Sequence, residues 1–393
     1  MTDYDLIILG SGSAASKVAH STASEGWDVA IAESRRVGGT CALRGCMPKK
    51  VYVGAAETID CANRFDDHGV RADVSVDWHE VQRFKQSFID DFNDGIRQGF
   101  EDAGIDILQG QARFTDEHTV TVNNTAYTAD TFLIGTGARP RPLQFTGHDH
   151  LITSDVFLGL EALPEHIVLV GGGYISFEFA HIAARTGSEV TTLPRADQPL
   201  PMFEESIVDE LLDASEDNGI DIHLNTQAGE VEQHGSRFHV YDGDGEHIRE
   251  TDLVVHGAGR VPQIDDLNLH QAGVDRERRG VTVNDALQTT QDHIYAAGDC
   301  AASPGYPLTP IATMEGQAVT HNLLHDEPTK PDYTGTATTL FSIPPVASVG
   351  MQESQVKEKG YDYTVNEGDS GSWFSSQRIG VDHGRYKVII DDA

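Results

Sequence analysis

A glycine-rich pattern that occurs twice is the feature of this sequence that most constrains its fold. In each copy a short apolar run, at residues 5–9 and 167–170, leads into clustered glycines and then into a helical stretch. A second predicted strand follows, at residues 29–32 in one copy and 190–193 in the other. One glycine motif often arises by chance, but two copies with this spacing predict two dinucleotide-binding βαβ units. The sequence therefore predicts an α/β protein with two Rossmann-like, three-layer domains.

The last part of the chain has a different character. Residues 337–341 and 385–390 are predicted to be antiparallel strands of a partial α+β unit. Two strands and one helix form a small core, so we expect this unit to rely on its neighbours.

The first glycine motif has the residues of a pyrophosphate site. Gly10 and Gly12 let the backbone approach a pyrophosphate, and Ala15 completes a GxGxxA fingerprint. The helix that starts there offers N–H groups and the positive end of its dipole. Glu33 ends the second strand, where an acid accepts hydrogen bonds from a ribose. The alternative for Glu33 is a solvated loop acid.

The second glycine motif lacks the acid that an NAD site would place after its second strand. The chain has Leu-Pro-Arg there, at residues 193–195. An arginine can pair with the 2′-phosphate of NADP, so the sequence favours NADP over NAD, although a lone surface arginine is common. The residues predicted to bind this second nucleotide are Gly171, Gly173, Tyr174, Ser176, Arg195 and Gly259.

Two cysteines five positions apart follow the first βαβ unit. They lie in the run Gly-Gly-Thr-Cys-Ala-Leu-Arg-Gly-Cys-Met-Pro-Lys-Lys at residues 38–50. A disulfide closed over so short a loop is expected to be easily reduced. The alternatives are a structural bridge or half of a metal site, but the chain has four cysteines and no CxxC. Because a flavin can mediate between a nicotinamide and a disulfide, the sequence predicts FAD, a nicotinamide nucleotide and a disulfide in series.

The net charge of the chain is extreme. There are 28 Lys and Arg against 62 Asp and Glu, a formal net charge of −34. Such a surface repels nucleic acid and anionic membranes. Because the Debye length falls to about 3 Å at 1 M salt, we expect a halophilic source, the alternative being an ordinary acidic cytosolic protein. No apolar stretch approaches the length of a membrane helix and no signal peptide is recognised, so a cytoplasmic location is predicted.

With these motifs in order, the chain resembles the class I pyridine nucleotide-disulfide oxidoreductases, which include glutathione reductase, dihydrolipoamide dehydrogenase and mercuric reductase. The resemblance covers essentially the whole chain, and the run at 38–50 is highly specific. It implies an FAD-binding domain of residues 1–144 and 268–330 and an NAD(P)-binding domain of residues 145–267. Residues 331–393 would form a partial C-terminal dimerisation domain, so a homodimer is expected.

The resemblance also implies roles for individual residues. Cys41 would be the interchange thiol that attacks the substrate disulfide, and Cys46 the charge-transfer thiol beside the flavin. Lys49 and Glu178 would pair beside the reactive nitrogen of the flavin, and Tyr174 would cover its nicotinamide side. Taken alone, the tyrosine would be predicted as a core residue and the lysine as solvated. The residues predicted to bind FAD are Gly10, Gly12, Ala15, Glu33, Thr40, Lys50, Ala112, Gly137 and Asp299.

Several departures from the family bear on the substrate. Val18 and Gln317 stand where glutathione reductases carry arginines, so a disulfide other than that of glutathione is favoured. None of the 18 histidines stands in the His-Pro context of the family's C-terminal acid–base, and His383 is predicted to lie in a turn. Without that group, turnover is expected to fall by about 10²–10⁴, and this expectation does not apply if the sequence is a fragment. Cys61 and Cys300 match no redox position and are predicted to be small buried apolar residues.

Three functions follow from these patterns. The first is a flavoprotein disulfide reductase that passes hydride from NAD(P)H through FAD and the cysteine pair to a small disulfide. The second is a dihydrolipoamide dehydrogenase that uses NAD⁺. The third is a truncated FAD-binding electron-transfer protein without disulfide turnover. The predicted partners are a small-molecule disulfide and a second copy of the chain.

Overall fold

The computed structural model describes residues 3–71 and 74–392. The α-helices are α1 (Ser13–Ser24), α2 (Gly39–Arg44), α3 (Cys46–Arg64), α4 (Trp78–Asp102), α5 (Ser154–Phe157), α6 (Tyr174–Arg185), α7 (Glu205–Asp217), α8 (Thr309–Leu324), α9 (Glu353–Lys359) and α10 (Phe374–Gln377). The strands are β1 (Tyr4–Leu9), β2 (Val29–Glu33), β3 (Asp106–Gln109), β4 (Ala112–Asp116), β5 (Thr119–Val122), β6 (Thr125–Ile134), β7 (Ala138–Pro140), β8 (His166–Val170), β9 (Glu189–Leu193), β10 (Ile220–Ile222), β11 (Ala228–His234), β12 (Arg237–Asp242), β13 (His247–Thr251), β14 (Leu253–His256), β15 (Arg260–Pro262), β16 (Arg276–Glu277), β17 (Gly280–Val281), β18 (Ile294–Ala296), β19 (Ala337–Leu340), β20 (Val346–Val349), β21 (Tyr363–Asp369) and β22 (Arg385–Asp391).

The chain divides into two compact units, each assembled from three pieces of sequence. The first unit consists of Met1–Pro48, Gln86–Arg141 and Arg260–Thr334. The second unit consists of Lys49–Lys85, Pro142–Gly259 and Gly335–Ala393.

The first unit is built on a seven-stranded sheet. Strands β3, β2, β1, β6 and β18 are parallel neighbours in that order, and β5 and β4 extend the sheet in antiparallel fashion. Successive side chains of β1 enter different cores, Ile7 and Leu9 on one face and Leu6 and Ile8 on the other. A strand buried on both faces reads as a continuous apolar run, which is the pattern of residues 5–9. The parallel Rossmann-like arrangement predicted from the sequence is confirmed.

Helices α1 and α8 pack closely in the first unit. A Cβ on Gly316 would lie 2.8 Å from the carbonyl oxygen of Ala14, so only glycine allows this approach. Val18, on the same helix as Ala14, is fully buried in the apolar core. This position therefore has no room for a solvated cationic side chain.

The second unit contains a four-stranded parallel sheet in the order β10-β9-β8-β14. Helix α6 connects β8 to β9, as the second glycine motif predicts. A three-stranded antiparallel sheet, β11-β12-β13, and two hairpins, β19-β20 and β21-β22, belong to the same unit. Among the described residues no helix is both long and apolar enough to cross a bilayer.

The prediction for the last segment was incomplete. Its strands are antiparallel as expected, but the described residues 337–391 contain four strands and two short helices where two strands and one helix were predicted. Strand β21 was missed because its sequence, Tyr-Thr-Val-Asn-Glu-Gly-Asp, is polar and contains a glycine. Its pairing with β22 along seven residues supplies the hydrogen bonds that its own sequence does not indicate.

Candidate redox site

The turn between β1 and α1 is closed on one side and open on the other. Gly10 has φ +106°, and a side chain there would clash with the carbonyl oxygen of Gly135. A Cβ on Gly12, by contrast, would meet nothing within 4 Å. The open space lies at the start of α1, where helix N–H groups have no intrahelical partner. This part of the structure fits the pyrophosphate of a dinucleotide.

Glu33 also accepts hydrogen bonds from residues of the protein, which the sequence did not indicate. Its Oε2 accepts hydrogen bonds from the Ser11 hydroxyl at 2.6 Å and from the Ser11 amide at 3.1 Å. Its Oε1 accepts one from the amide of Arg35 at 2.8 Å. The buried carboxylate therefore braces the glycine turn, and its remaining acceptor positions are available to a ribose hydroxyl.

The two cysteines of the predicted redox pair lie at neighbouring helix starts. Cys41 is in the first turn of α2 and Cys46 is the first residue of α3, and each is half-buried. The Cys46 Sγ lies 3.7 Å from the hydroxyl of Thr309, which begins α8. A hydroxyl donor and the N-terminus of a 16-residue helix both stabilise a thiolate. Sequence reasoning missed Thr309, although the proline that follows it marks a helix start.

The predicted FAD-binding Asp299 follows β18 in the first unit. Burial raises the pKa of Asp299, and Arg260 opposes that shift. The next carboxylate, Glu315 on α8, accepts hydrogen bonds from the amide of Gly298 at 2.6 Å and from the hydroxyl of Ser303 at 2.5 Å. Glu315 therefore fixes the backbone beside Asp299. Sequence reasoning missed this contact, because the bonded residues lie 12 and 17 positions apart and share no motif.

The other residues of this unit that are predicted to bind FAD differ in their burial and in the open space around them. Gly137 has φ +68° and open space around a Cβ, and its carbonyl accepts a hydrogen bond from Gln263 at 2.9 Å. Ala15 and Ala112 are buried in the core, so neither side chain is available to a ligand. Thr40 lies in α2, directly before Cys41.

The second glycine turn, between β8 and α6, has the same closed and open sides. Gly171 has φ +126°, and a side chain there would clash with the carbonyl of Gly257. The nearest atom to a Cβ on Gly173 is 4.0 Å away. In the described part of the chain, the buried hydroxyl of Ser176 in the first turn of α6 has no hydrogen-bond partner. The open space at a helix start fits a bound dinucleotide, whereas the Ser176 hydroxyl is fully buried against Gly257.

Arg195 is exposed in the segment that follows β9. An exposed guanidinium after the second strand is in the place where a 2′-phosphate would need it. Gly259, the last residue of the middle piece of the second unit, has φ +97°.

A buried ion pair in the second unit joins the predicted Lys49 and Glu178. The Lys49 Nζ lies 2.5 Å from Glu178 Oε1, and both side chains are buried. The amide of Phe341 donates to the same oxygen at 3.0 Å. The Phe341 ring lies 4.2 Å from the ammonium of Lys49 and 4.6 Å from that of Lys50.

Tyr174 begins α6 and is half-buried. Its hydroxyl is 2.5 Å from that of Thr338 on β19. The tyrosine is therefore tethered to the last segment of the chain.

Two predictions for single residues were wrong. Cys61 is exposed, because it lies on the outward side of α3, whereas Cys300 is fully buried as predicted. His383 lies in the segment before β22 rather than in a turn, with Nδ1 3.1 Å from Glu210 and Nε2 2.9 Å from Asp217. Within residues 3–71 and 74–392, no group of three or more His, Cys, Asp or Glu is arranged to hold a metal ion.

These features fit two nucleotide sites and a reactive thiol pair, and comparison with known proteins gives the class of the chain. Residues 4–316 match the family described as pyridine nucleotide-disulphide oxidoreductase, and the chain belongs to this family. The predicted enzyme class and cofactors, a flavoprotein disulfide reductase that uses FAD and NAD(P)H, are confirmed.

The proteins that this chain resembles are named as several different enzymes of the family. A glutathione reductase from Nostoc sp. is 33% identical over 385 residues, covering 92% of this chain and 82% of the relative. A dihydrolipoyl dehydrogenase from Bacillus subtilis is 32% identical over 372 residues, covering 92% and 80%. The solved Cu(II) complex of the HOCl-induced flavoprotein disulfide reductase RclA from Escherichia coli is 28% identical, with a TM-score of 0.89 and coverage of 100% of this chain and 87% of that chain.

Proposed function

We propose that this chain uses NADPH to reduce a small-molecule disulfide other than that of glutathione, through FAD and the Cys41–Cys46 pair. The observation that carries the proposal is the placement of the two thiols. Both lie at helix starts that follow the open glycine turn, and Cys46 has the hydroxyl of Thr309 beside its sulfur. Bound FAD supplies two-electron transfer between a nicotinamide and a thiol pair.

The thiol steps can be written for the two cysteines alone. In the reduced pair, the Cys41 thiolate attacks one sulfur of the substrate, the substrate S–S bond breaks, and the first thiolate leaves and takes up a proton. Cys46 then attacks the Cys41 sulfur, which breaks the mixed disulfide, closes the protein disulfide and releases the second thiol. The helix dipole of α8 and the Thr309 hydroxyl favour the thiolate form of Cys46.

The preference for NADPH rests on Arg195, since an exposed guanidinium can form two parallel hydrogen bonds with a phosphate. The preference against glutathione rests on Val18 and Gln317. The first is buried among apolar side chains and the second is exposed but uncharged, so neither offers a cation to a peptide carboxylate.

The domain boundaries, the homodimer, the cellular location and the halophilic source are parts of the same proposal. Residues 1–144 and 268–330 would hold FAD, residues 145–267 would hold NADPH, and residues 331–393 would contribute to a homodimer. A cytoplasmic location and a halophilic source agree with the charge of −34. If the source is halophilic, the free energy of unfolding should increase from dilute buffer to about 2 M KCl, because salt screens self-repulsion. Greatest stability in dilute buffer would contradict the halophilic assignment.

Stopped-flow kinetics with a panel of disulfides tests the proposed route. We expect Cys41→Ser to accept electrons from NADPH at its flavin but to lose disulfide reduction by at least about 10³-fold, since the attacking thiolate is gone. Cys61→Ser is the matched control, because this exposed cysteine lies outside the pair, and it should react at the wild-type rate. Equal disulfide reduction by Cys41→Ser and wild type would refute the proposal.

A further inference from the structure

Phe341 makes three contacts with charged side chains of the second unit. Its backbone amide donates to Glu178 Oε1 at 3.0 Å. Its ring lies under two ammonium groups, at 4.2 Å from Lys49 Nζ and 4.6 Å from Lys50 Nζ.

The amide contact fixes the carboxylate. Lys49 and the Phe341 amide share one oxygen of Glu178, at 2.5 Å and 3.0 Å. A lysine ammonium sits on a flexible stem and can follow a moving partner, but a backbone amide cannot. The amide therefore sets where the carboxylate lies, and the carboxylate sets where the ammonium lies.

The ring contact fixes the two lysines relative to each other. Two adjacent ammonium groups repel, and the negative face of an aromatic ring offsets that repulsion. This attraction is stronger for a desolvated cation, and Lys49 is only 6% exposed. An aliphatic side chain of similar size would fill the space without attracting either ammonium.

Phe341 is itself held on both sides. The preceding Leu340 is fully buried and ends strand β19. The carbonyl of Ile343, two residues later, accepts a hydrogen bond from the Arg185 guanidinium at 2.8 Å. Because the backbone is anchored before and after it, the amide and the ring have little freedom to move.

From these contacts we propose that Phe341 is a positioning residue for the Lys49–Glu178 pair, and that through this pair it sets how readily the bound flavin accepts electrons. The inference rests on the proposed function and on the family resemblance, which implies that Lys49 lies beside the flavin. An ammonium held in a fixed place stabilises negative charge that develops next to it, whereas a mobile ammonium must reorganise first. The last segment of the chain would thus contribute to the redox site as well as to association.

The flavin reduction potential of Phe341→Leu tests the proposal. The substitution removes the aromatic face and keeps the backbone amide and an apolar side chain. We expect the two-electron equilibrium to shift about tenfold toward oxidised flavin, which is about 30 mV more negative. Flavin reduction by NADPH should slow by a similar factor, and Phe341→Tyr, which retains the ring, should restore both quantities. Phe238→Leu is the matched control, because Phe238 is also half-buried in the second unit but packs against a different core.

A double-mutant cycle with Lys49→Met distinguishes a failure of the role of Phe341 from a failure of the role of Lys49. If Phe341 acts through Lys49, adding Phe341→Leu to Lys49→Met should not shift the potential further. A normal potential in Phe341→Leu with a shifted one in Lys49→Met would overturn the proposal for Phe341 alone. A normal potential in Lys49→Met would overturn the role of Lys49 in the proposed function, and the role of Phe341 with it.

Discussion

The two glycine-rich turns of this protein share a backbone pattern but differ in the side chains beside them. In the first unit the strand after the turn ends in a buried acid, Glu33, which bonds the turn through Ser11. In the second unit the corresponding strand is followed by an exposed base, Arg195, and the hydroxyl of Ser176 is unsatisfied among the described residues. The first turn is therefore braced by a buried carboxylate of the protein, whereas the second is followed by a cation that is exposed to solvent. This difference agrees with a tightly held cofactor at the first turn and an exchanging one at the second.

The largest effects should come from the glycines on the closed sides of both turns. Gly10→Ala and Gly171→Ala each place a side chain against a backbone carbonyl at a positive φ, so we expect each to cost about 3 kcal/mol or more of unfolding free energy. Urea unfolding without added nucleotide measures this cost.

The glycines on the open sides provide the matched controls. Gly12→Ala and Gly173→Ala meet no atom closer than about 4 Å, so their stability should stay within about 1 kcal/mol of wild type. Their effect should be on nucleotide binding, at the first turn for one and at the second for the other. Equal destabilisation by open-side and closed-side substitutions would contradict the assignment of these faces.

The hydrogen bonds between Glu33 and the first glycine turn predict the next largest loss of stability. Glu33→Gln removes the charge from a carboxylate that accepts three hydrogen bonds, so we expect about 2 kcal/mol less stability without FAD. Thermal unfolding of the protein stripped of cofactor measures it. Glu277→Gln, an exposed acid of the same unit, should change stability by less than about 0.5 kcal/mol. Equal effects of the two substitutions would mean that Glu33 does not brace the turn.

The exposed Arg195 after the second turn predicts a change in selectivity between NADPH and NADH rather than a change in stability. Arg195→Ala should lower the ratio of kcat/KM for NADPH to that for NADH by at least about tenfold, because a charged hydrogen bond to phosphate is lost. Arg249→Ala, which removes a half-buried arginine of the second unit that pairs with Glu189, should leave the ratio unchanged. An unchanged ratio in Arg195→Ala would remove the basis for the NADPH preference.

The smallest effect concerns two histidines of the second unit with opposite pKa shifts. Burial lowers the pKa of His383, but its hydrogen bonds to Asp217 and Glu210 outweigh burial and raise it. The stability from His383 is thus present below about pH 6.5 and is lost as pH rises through the raised pKa. We expect His383→Gln to cost up to about 1 kcal/mol at pH 6 and less at pH 8.

The pKa of His181 is shifted in the opposite direction to that of His383. Burial, together with Arg185, lowers the pKa of His181 well below its ordinary value. The unfolded chain then binds more protons, so the protein loses stability as pH falls below about 6.5. Chemical unfolding of wild type and His383→Gln from pH 5 to pH 8 measures both effects. A cost of His383→Gln that grows with pH would contradict the bonding described for His383.

Much of the fold could be predicted because its signals are local. The buried strands β1 and β8, the glycine turns and helices α1 and α6 each lie within a short stretch of sequence with a clear period. The weaker strands β20 and β21 were missed, because their stability comes from partners and not from their own residues.

The site was predictable only in part, for the same reason. Cys41 and Cys46 stand in one motif, but the pairing of Lys49 with Glu178 came from the family resemblance. Thr309 and Phe341 could not be found from sequence, since each meets its partner across more than a hundred residues. Contacts of this kind are set by how the sheets pack, which no single motif records.

The central claim is that two thiols and a flavin store electrons together in this chain. Anaerobic dithionite titration of the FAD-loaded protein tests it most directly, because it counts the electrons taken up per flavin. Wild type should take up two electrons more per FAD than Cys41→Ser, since only wild type can close and open the Cys41–Cys46 disulfide. Equal uptake by the two proteins would contradict the account.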